Sequence, residues 1–508
     1  MKFNFSLRGR SSADARYAFV KAGSAETQGD LYKALLSVTY GAAWGTDELS
    51  QLRKEVRAGD PELLGRMAIH LAGDRNWREP AFWLTAELAA LYGNDERTGL
   101  LVARVVRQAM DIPLWLAFHD RAKTPGQRAG RSQRPARAVR RQLSQLLHRL
   151  DEYQFSRFSR ELQAELRGAL QTLRPRAADQ QRKELFRKIA RNQIPVRTTW
   201  EQEWHVLHHQ HYDSPERRQV ALRDKWKEGI SSFRIGYMPL LDNLRPMLCA
   251  GVSGKVLKLA SDYLGNAAAI ARSGVSPLRL LEAWRVLRRM DQGGTGMLTE
   301  ALEKAVLHSN WARSEFGNGG VSVIAMDVSN SMKRTLGGAG EIQRFDVAPL
   351  LSMVWKSRGN TVITGMIGNT WKPLPLPFRP VLMAMDEIRA HEGEAGYAIN
   401  AHLILQDLLR KRQVVDRVLV FTDCRLWDNR TFNQSAGTDL GHWWRQYRRE
   451  VAPHARLYLF DLAGYEARGL ECMDEDVFLI AGWKDGILDL LDAAASDGEY
   501  IGSIRENG

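Results

Sequence analysis

Three side chains that carry oxygen atoms follow a short apolar segment, at alternate positions. They are Asp327, Ser329 and Ser331 in the segment VSVIAMDVSNSM, residues 321–332. The residues before them are β-branched or apolar and predict a buried strand that ends at this point. A carboxylate and two hydroxyls where a parallel strand ends suit a hard cation such as Mg²⁺, which prefers oxygen ligands and retains bound water. The alternative is an aspartate and two serines that only cap a helix.

A second acidic side chain, Asp423, ends another apolar segment, VLVFTD at residues 418–423. Ligands of open α/β sheets bind where parallel strands end, so the correct fold would bring Asp423 close to the first three residues. The sequence therefore predicts a divalent-cation site formed by Asp327, Ser329, Ser331 and Asp423. Catalysis is not predicted, because Ser329 has no identifiable histidine partner and the sequence has neither a phosphate-loop motif nor paired carboxylates.

The elements that position these residues alternate between strands and helices after residue 316. Apolar strands are predicted at 321–326, 361–367, 418–422, 456–460 and 477–480. Helices are predicted between or after them at 345–355, 381–389, 401–411, 442–450 and 486–494. Such alternation predicts a doubly wound, Rossmann-like sheet with parallel strands in residues 317–508.

Residues 1–316 instead form a succession of amphipathic helices separated by short breakers. Leu280, Trp284 and Leu287, for example, repeat at i, i+4 and i+7. Helix pairs joined by short turns predict a degenerate helical solenoid, which leaves an extended surface free for a partner. A chain of 508 residues is too long for one core, and we expect a domain boundary between residues 316 and 317.

The net charge of +13 is unevenly distributed along the chain. Residues 317–508 hold 21 Lys and Arg against 25 Asp and Glu, so the preceding residues hold 51 against 34. Solubility alone could explain a modest excess of positive charge, but it explains the segregation of that charge less readily. The helical part is therefore predicted to bind a polyanion.

The highest local density of basic residues lies between residues 121 and 160. Residues 121–150 contain nine Lys and Arg and no acidic residue, and a helix is predicted to begin at Ala138. Arginine suits phosphate, because its planar fork donates two hydrogen bonds and stacks on bases. A solvated basic face without a ligand is the alternative. The candidate phosphate contacts are Arg128, Arg131, Arg134, Arg137, Arg140, Arg141, His148, Arg149, Tyr153, Arg157 and Arg160.

Other groups in the sequence give weaker predictions. His205, His208, His209 and His211 have helical spacing that could hold a transition metal, but no carboxylate lies between them as in H-E-x-x-H, and a surface cluster is the preferred interpretation. The three cysteines form no C-x-x-C pair. Neither an apolar leader nor a stretch of about 18 apolar residues is present, so we expect a cytoplasmic protein.

The joining of a basic helical solenoid to an Asp-x-Ser-x-Ser strand end resembles the Ro autoantigen family. Members of this family, including bacterial Ro-like proteins, are TROVE-module proteins that bind Y RNA and have a C-terminal von Willebrand factor A (vWA) domain. VSVIAMDVSNSM is similar to the first vWA strand and its metal motif. The resemblance extends over residues 230–430 in MPLLDNLRPM, VSPLRLLEAWRVLRRM, LTEALEKAVLHSNW and FTDCRLWD.

The resemblance implies that residues 1–316 form a HEAT-like ring and residues 317–508 a vWA domain with a metal-ion-dependent adhesion site. Asp327, Ser329 and Ser331 would bind Mg²⁺ directly, and Asp423 directly or through water. The family's threonine ligand is missing, because the matching segment reads HEGEAGYAINAH, residues 391–402. Tyr397 or Asn400 is expected near its position, and the cation site would be weaker, completed by solvent or empty.

The resemblance also implies partners. Y-like small RNAs would bind the basic outer surface, and single-stranded ends of misfolded non-coding RNAs would enter the ring. The protein would act as a monomer in RNA quality control, in a ribonucleoprotein that includes polynucleotide phosphorylase. A function from another class stays open: a vWA adaptor whose metal captures an acidic side chain of a protein partner.

Overall fold

The structure of the protein is a computed structural model that describes residues 47–73, 78–122, 134–156, 158–194, 204, 207, 210–290, 292–336, 340–396, 399–423, 440–463, 476–483, 486–488 and 491. The chain divides into two compact units between Glu203 and Trp204. We call the described residues before this point the helical unit and those after it the mixed unit. His205, His208 and His209 and most of the predicted helix at 486–494 lie outside the described residues.

The helical unit consists of short helices that pack on their neighbours in the chain, as the amphipathic spacing predicts. The helix α3 is buried on all sides from Pro80 to Ala89, a range that includes Phe82, Leu84 and Leu88. The Nε1 atom of Trp115 in the helix α5 donates a hydrogen bond of 3.0 Å to the hydroxyl of Thr85 in α3. This bond connects α5 to α3. The helices are α1 (Asp47–Ala58), α2 (Pro61–Gly73), α3 (Arg78–Tyr92), α4 (Glu96–Val105), α5 (Ile112–Arg121), α6 (Arg137–Arg149), α7 (Glu152–Ser156), α8 (Arg160–Leu173) and α9 (Gln180–Ala190).

The mixed unit begins with further helices before its first strand. Leu280, Trp284 and Leu287 are buried, as their spacing predicts. These helices are α10 (Pro215–Ser231), α11 (Tyr237–Asp242), α12 (Leu244–Cys249), α13 (Gly254–Leu264), α14 (Ala267–Ser273), α15 (Pro277–Arg288), α16 (Thr295–Val306) and α17 (Asn310–Arg313).

A six-stranded sheet with flanking helices completes the mixed unit. Its strands are β1 (Val321–Asp327), β2 (Thr361–Ile367), β3 (Trp371–Pro373), β4 (Arg417–Thr422), β5 (Arg456–Asp461) and β6 (Val477–Ala481), in the order β3-β2-β1-β4-β5-β6. Its helices are α18 (Val347–Ser357), α19 (Val381–Ala390), α20 (His402–Arg410) and α21 (Leu440–Glu450). All strand pairs are parallel except β2 with β3. The predicted fold class, an all-helical part followed by a doubly wound α/β part, is confirmed.

The sheet order places β1 between β2 and β4. The order of the strands reverses between β1 and β4, so the topological switch point of the sheet lies there. Asp327, the last residue of β1, lies opposite Ile367 of β2, and Met326 lies opposite Phe421 of β4. The carboxyl ends of β1 and β4 therefore meet at one edge, where open α/β sheets bind their ligands.

The edge strand β3 was not predicted, because it has only three residues and ends in a proline that cannot donate to a strand ladder. It pairs antiparallel with β2, so Trp371 lies opposite Ile367. Gly365 makes room for this strand, because a Cβ atom at residue 365 would overlap the indole ring of Trp371.

The chain changes from helices to alternating strands and helices between Arg313 and Val321. This change lies close to the predicted boundary at residue 316, while the compact units divide at residue 203. The domain boundary at residues 316 and 317 stays a prediction. Among the described residues, no helix combines the length and the apolar composition that a membrane crossing requires.

A buried ion pair joins the helices of the mixed unit to its α/β part. Arg285 of α15 donates two hydrogen bonds, of 2.7 and 2.8 Å, to the two carboxylate oxygens of Asp346. The side chains of Arg285 and Asp346 are 6% and 1% exposed. Arg389 of α19 lies 3.1 Å from the same carboxylate. Glu303 of α16 makes a second connection, to the start of α19. Its carboxylate accepts hydrogen bonds from the backbone N–H groups of Leu382 and Met383.

We predict that Asp346→Asn lowers the free energy of unfolding of the mixed unit by roughly 3–5 kcal/mol, because it leaves the buried charge of Arg285 without a full counter-charge. Urea denaturation followed by tryptophan fluorescence measures the change. Asp262→Asn is the matched control, since Asp262 forms an exposed ion pair with Lys258 that contributes about 0–1 kcal/mol. Equal changes in the two variants would show that the buried pair has no special role.

Candidate functional site

The structure brings together the four side chains that the sequence proposed as a cation site. Asp327 ends β1, and Ser329 and Ser331 follow it in the turn that leads into a short 3₁₀ helix, Asn330–Lys333. Asp423 directly follows β4. Asp327 and Asp423 are 0% and 3% exposed. The convergence follows from the parallel pairing of β1 with β4, which ends both strands at the same edge of the sheet.

Hydrogen bonds connect these side chains into one network. Asp327 accepts a hydrogen bond of 2.8 Å from the backbone N–H of Ser329 and one of 2.7 Å from the Thr422 hydroxyl. The hydroxyl oxygens of Ser329 and Ser331 lie 3.1 Å apart. Ser331 donates a hydrogen bond of 2.7 Å to Oδ1 of Asp423. Burial raises the pKa of the Asp327 carboxyl, and the hydrogen bonds from Thr422 and Ser329 partly oppose this rise.

A guanidinium group, which the sequence did not predict, lies at the same site. Arg344 Nη1 donates a hydrogen bond of 2.6 Å to Oδ2 of Asp423, and the Arg344 side chain is 14% exposed. Arg344 begins the short 3₁₀ helix Arg344–Asp346, which precedes α18. No sequence signal connects it to the site, because 79 positions separate it from Asp423.

Tyr397 or Asn400 was expected near the position of the missing threonine ligand. Tyr397 lies outside the described residues. Asn400 donates its amide N–H to the backbone carbonyl of Gly368, at 3.2 Å. Two carboxylates and two hydroxyls suit a hard cation by their chemistry, but Arg344 already supplies positive charge to one of the carboxylates. The site residues therefore fit a divalent cation only in part.

The second candidate site lies on α6 of the helical unit. Val139, Leu143, Leu146 and Leu147 form its buried face. Three candidate arginines of α6 are exposed, Arg137, Arg141 and Arg149, and the first two lie one helical turn apart on the face opposite the buried one. Arg134 is exposed three residues before the helix begins. The predicted start of this helix at Ala138 agrees with its observed start at Arg137 to one residue.

An acidic residue of another helix contacts this basic face. Arg141 forms an exposed ion pair with Glu96 of α4, so the acid that residues 121–150 lack is supplied from elsewhere in the unit. Arg137, Arg140 and Arg149 have no ion pair within the described part of the chain. Their positive charges are therefore not neutralised by the described residues around them.

The remaining candidates of the basic segment lie in different surroundings. His148 is half-buried, and its ring centroid lies 5.3 Å from that of Phe186 in α9. Arg160 is exposed at the start of α8, next to the N-cap residue Ser159. Arg128, Arg131 and Arg157 lie outside the described residues, as does the side chain of Tyr153.

Helix α9 carries basic residues that are not among the predicted phosphate contacts. Phe186 contacts His148, and Arg182 donates a hydrogen bond to the backbone carbonyl of Leu150, so α9 lies beside the end of α6. Exposed basic side chains of α9 and the residue after it are Lys183, Arg187 and Arg191. The signal was present in the segment QQRKELFRKIAR, residues 180–191, where five basic residues accompany one acid.

The architecture is that of a helical array followed by a doubly wound α/β fold with acidic residues where β1 and β4 end. Among solved structures, the chain is similar to the crystal structure of the Ro (RSR) protein of Deinococcus radiodurans, with a TM-score of 0.62. The two sequences are 18% identical, and the similarity covers 92% of this chain and 99% of that chain. No protein-family model matches the sequence, and no curated protein matches it. The chain therefore has a Ro-like fold, as its resemblance to the family predicts.

We predict that Thr422→Val lowers the free energy of unfolding by about 1–3 kcal/mol, because it removes a hydrogen-bond donor from a buried carboxylate. Thr361→Val is the matched control, since Thr361 is the exposed first residue of β2, and we expect a change within about 0.5 kcal/mol. Urea denaturation measures both variants. An equally small change for Thr422→Val would show that its hydroxyl does not stabilise Asp327.

Proposed function

We propose that the protein is a non-catalytic RNA-binding protein that contacts RNA phosphates through the exposed arginines of α6. The observation that carries the proposal is the row of arginines Arg134, Arg137, Arg141 and Arg149, which are exposed along α6 and just before it while the apolar face of the helix is buried. Such a row presents several forked donors to solvent, which suits the repeated phosphates of a polynucleotide.

The charges around this row favour an anionic partner. Arg137, Arg140 and Arg149 carry positive charge without an ion pair among the described residues. The pair of Arg141 with Glu96 is exposed on both sides, and exposed pairs of this kind contribute only about 0–1 kcal/mol. A phosphate can therefore replace Glu96 at small cost. The exposed basic residues of α9 extend the positive surface beyond the end of α6.

RNA is the polyanion that the resemblance to the Ro family implies, and the Ro-like fold supports it. Duplex RNA is recognised by shape and backbone contacts, and single-stranded RNA adds stacking on aromatic rings. Binding of Y-like RNA on the outer surface, capture of misfolded RNA ends in a ring, a role in RNA quality control and association with polynucleotide phosphorylase are finer proposals. The monomeric state and the cytoplasmic location belong with them.

We predict that the triple variant Arg137→Glu, Arg140→Glu, Arg149→Glu binds RNA at least ten-fold more weakly than the wild type at about 0.1 M salt. The expected cause is the loss of phosphate contacts, each of which contributes roughly 0.7–0.9 to the slope of log affinity against log salt concentration. Fluorescence anisotropy with a labelled hairpin RNA that carries a single-stranded 3′ end measures both quantities.

The matched control reverses the same number of charges at exposed arginines of the mixed unit, Arg412, Arg445 and Arg449. It changes the net charge equally, so it separates a local contact from a general electrostatic effect. Circular dichroism checks that the α6 variant is folded. The proposal fails if the folded α6 variant has the same RNA affinity as the control and the same slope of log affinity against log salt concentration.

A vWA adaptor that captures an acidic side chain through a divalent cation is the second candidate. The convergence of Asp327, Ser329, Ser331 and Asp423 favours it, because their oxygens have the chemistry of a Mg²⁺ site. The cation itself stays a prediction. Both functions are compatible in one chain, since the arginines of α6 and the acidic strand ends belong to different compact units.

A further inference from the structure

The site at the ends of β1 and β4 contains its own positive charge. Asp327 and Asp423 are both buried there, and the guanidinium of Arg344 donates a hydrogen bond to Asp423. Arginine stays protonated in proteins, so this positive charge is permanent. Lys333, in the turn after β1, is half exposed and pairs with Glu392 at 3.7 Å.

Every carboxylate oxygen of the site accepts a hydrogen bond from the protein. The two oxygens of Asp327 accept from the Ser329 backbone and from Thr422. The two oxygens of Asp423 accept from Ser331 and from Arg344. Buried polar groups are costly when they lack partners, and in this network each acidic oxygen has one. The network is therefore satisfied by donors of the chain alone.

The position of Arg344 is fixed by backbone and side-chain contacts of its own turn. Its backbone N–H donates a hydrogen bond of 3.0 Å to the carbonyl of Arg334. Two residues later, Asp346 accepts a hydrogen bond of 2.8 Å from the Gln343 backbone and binds the buried Arg285. The contacts of Asp346 therefore hold this turn in place, and the turn positions Arg344 beside Asp423.

A divalent cation bound between the four oxygens would lie beside this guanidinium, and like charges at such short distances repel strongly when water is excluded. This repulsion lowers the affinity of the native chain for a divalent cation.

We propose that Arg344 is the resident cation of this site. Its guanidinium neutralises Asp423 in place of a divalent ion, and a divalent ion binds tightly only when the charge of Arg344 is removed. The chain then resembles a metal-dependent vWA site in its acidic and hydroxyl residues but carries the counter-charge on its own side chain. This assignment does not depend on RNA binding, and it argues against metal-mediated capture of an acidic partner by the native chain.

Titration of the full-length protein with Mn²⁺, followed by electron paramagnetic resonance of the free ion, tests the proposal. We expect Arg344→Gln to bind one Mn²⁺ at least ten-fold more tightly than the wild type. Arg344→Lys retains the positive charge and is expected to bind as weakly as the wild type. The double variant Arg344→Gln, Asp423→Asn is expected to lose the gained binding, which locates the ion at this site.

The proposal is overturned if the wild type binds Mn²⁺ as tightly as a folded Arg344→Gln variant. The wild-type titration also decides the question if Arg344→Gln does not fold. Saturable Mn²⁺ binding by the wild type that Asp423→Asn removes would overturn the proposal, and the absence of such binding would support it.

Discussion

The ion pair of Arg285 with Asp346 holds the helices before the sheet against the α/β part of the mixed unit. Both side chains are removed from water, which is costly for charges, and the bidentate geometry with additional donors from Arg389 and Gln343 offsets that cost. The pair connects α15, one of the helices before the sheet, to the turn before α18. The same turn supplies Arg344 to the strand ends, so the docking of the helices and the charge of the candidate site share one anchor.

The site at the ends of β1 and β4 is formed by residues that are far apart in the sequence. Asp327 and Asp423 are distant in sequence, and parallel pairing of β1 with β4 brings them to one edge. Two carboxylates placed together in a buried position require compensation, because desolvation and mutual repulsion both disfavour their charged forms. The protein provides hydroxyl and backbone donors together with a guanidinium. Compensation by a bound ion and compensation by an arginine are alternative solutions to the same electrostatic problem.

The basic face of α6 depends on a different physical principle. Its apolar face is buried in the helical unit, so its arginines necessarily face solvent. Exposed arginines of this kind contribute little to stability, and their positive potential is available for a partner. The contact of α9 with the end of α6 enlarges this potential by bringing in residues that are remote from the basic segment in sequence.

The sequence by itself determined the elements and the class of fold. Apolar runs and period-3.6 apolar patterns depend only on local geometry, so the strand at Thr361–Ile367 was located to the residue and the helix α6 to within one residue. The Asp-x-Ser-x-Ser spacing is also local, and it identified the residues that end β1. The edge strand β3 gave no such pattern, because three residues are too few to show one.

Only the tertiary structure decided which charges meet. The partners Arg344 with Asp423, Arg285 with Asp346 and Arg141 with Glu96 are separated by 79, 61 and 45 positions. No periodicity relates residues at such distances, because their contact depends on how helices and strands pack rather than on the conformation of either segment. The sequence therefore identified the acids that could hold a cation, and the packing of a distant turn placed an arginine among them.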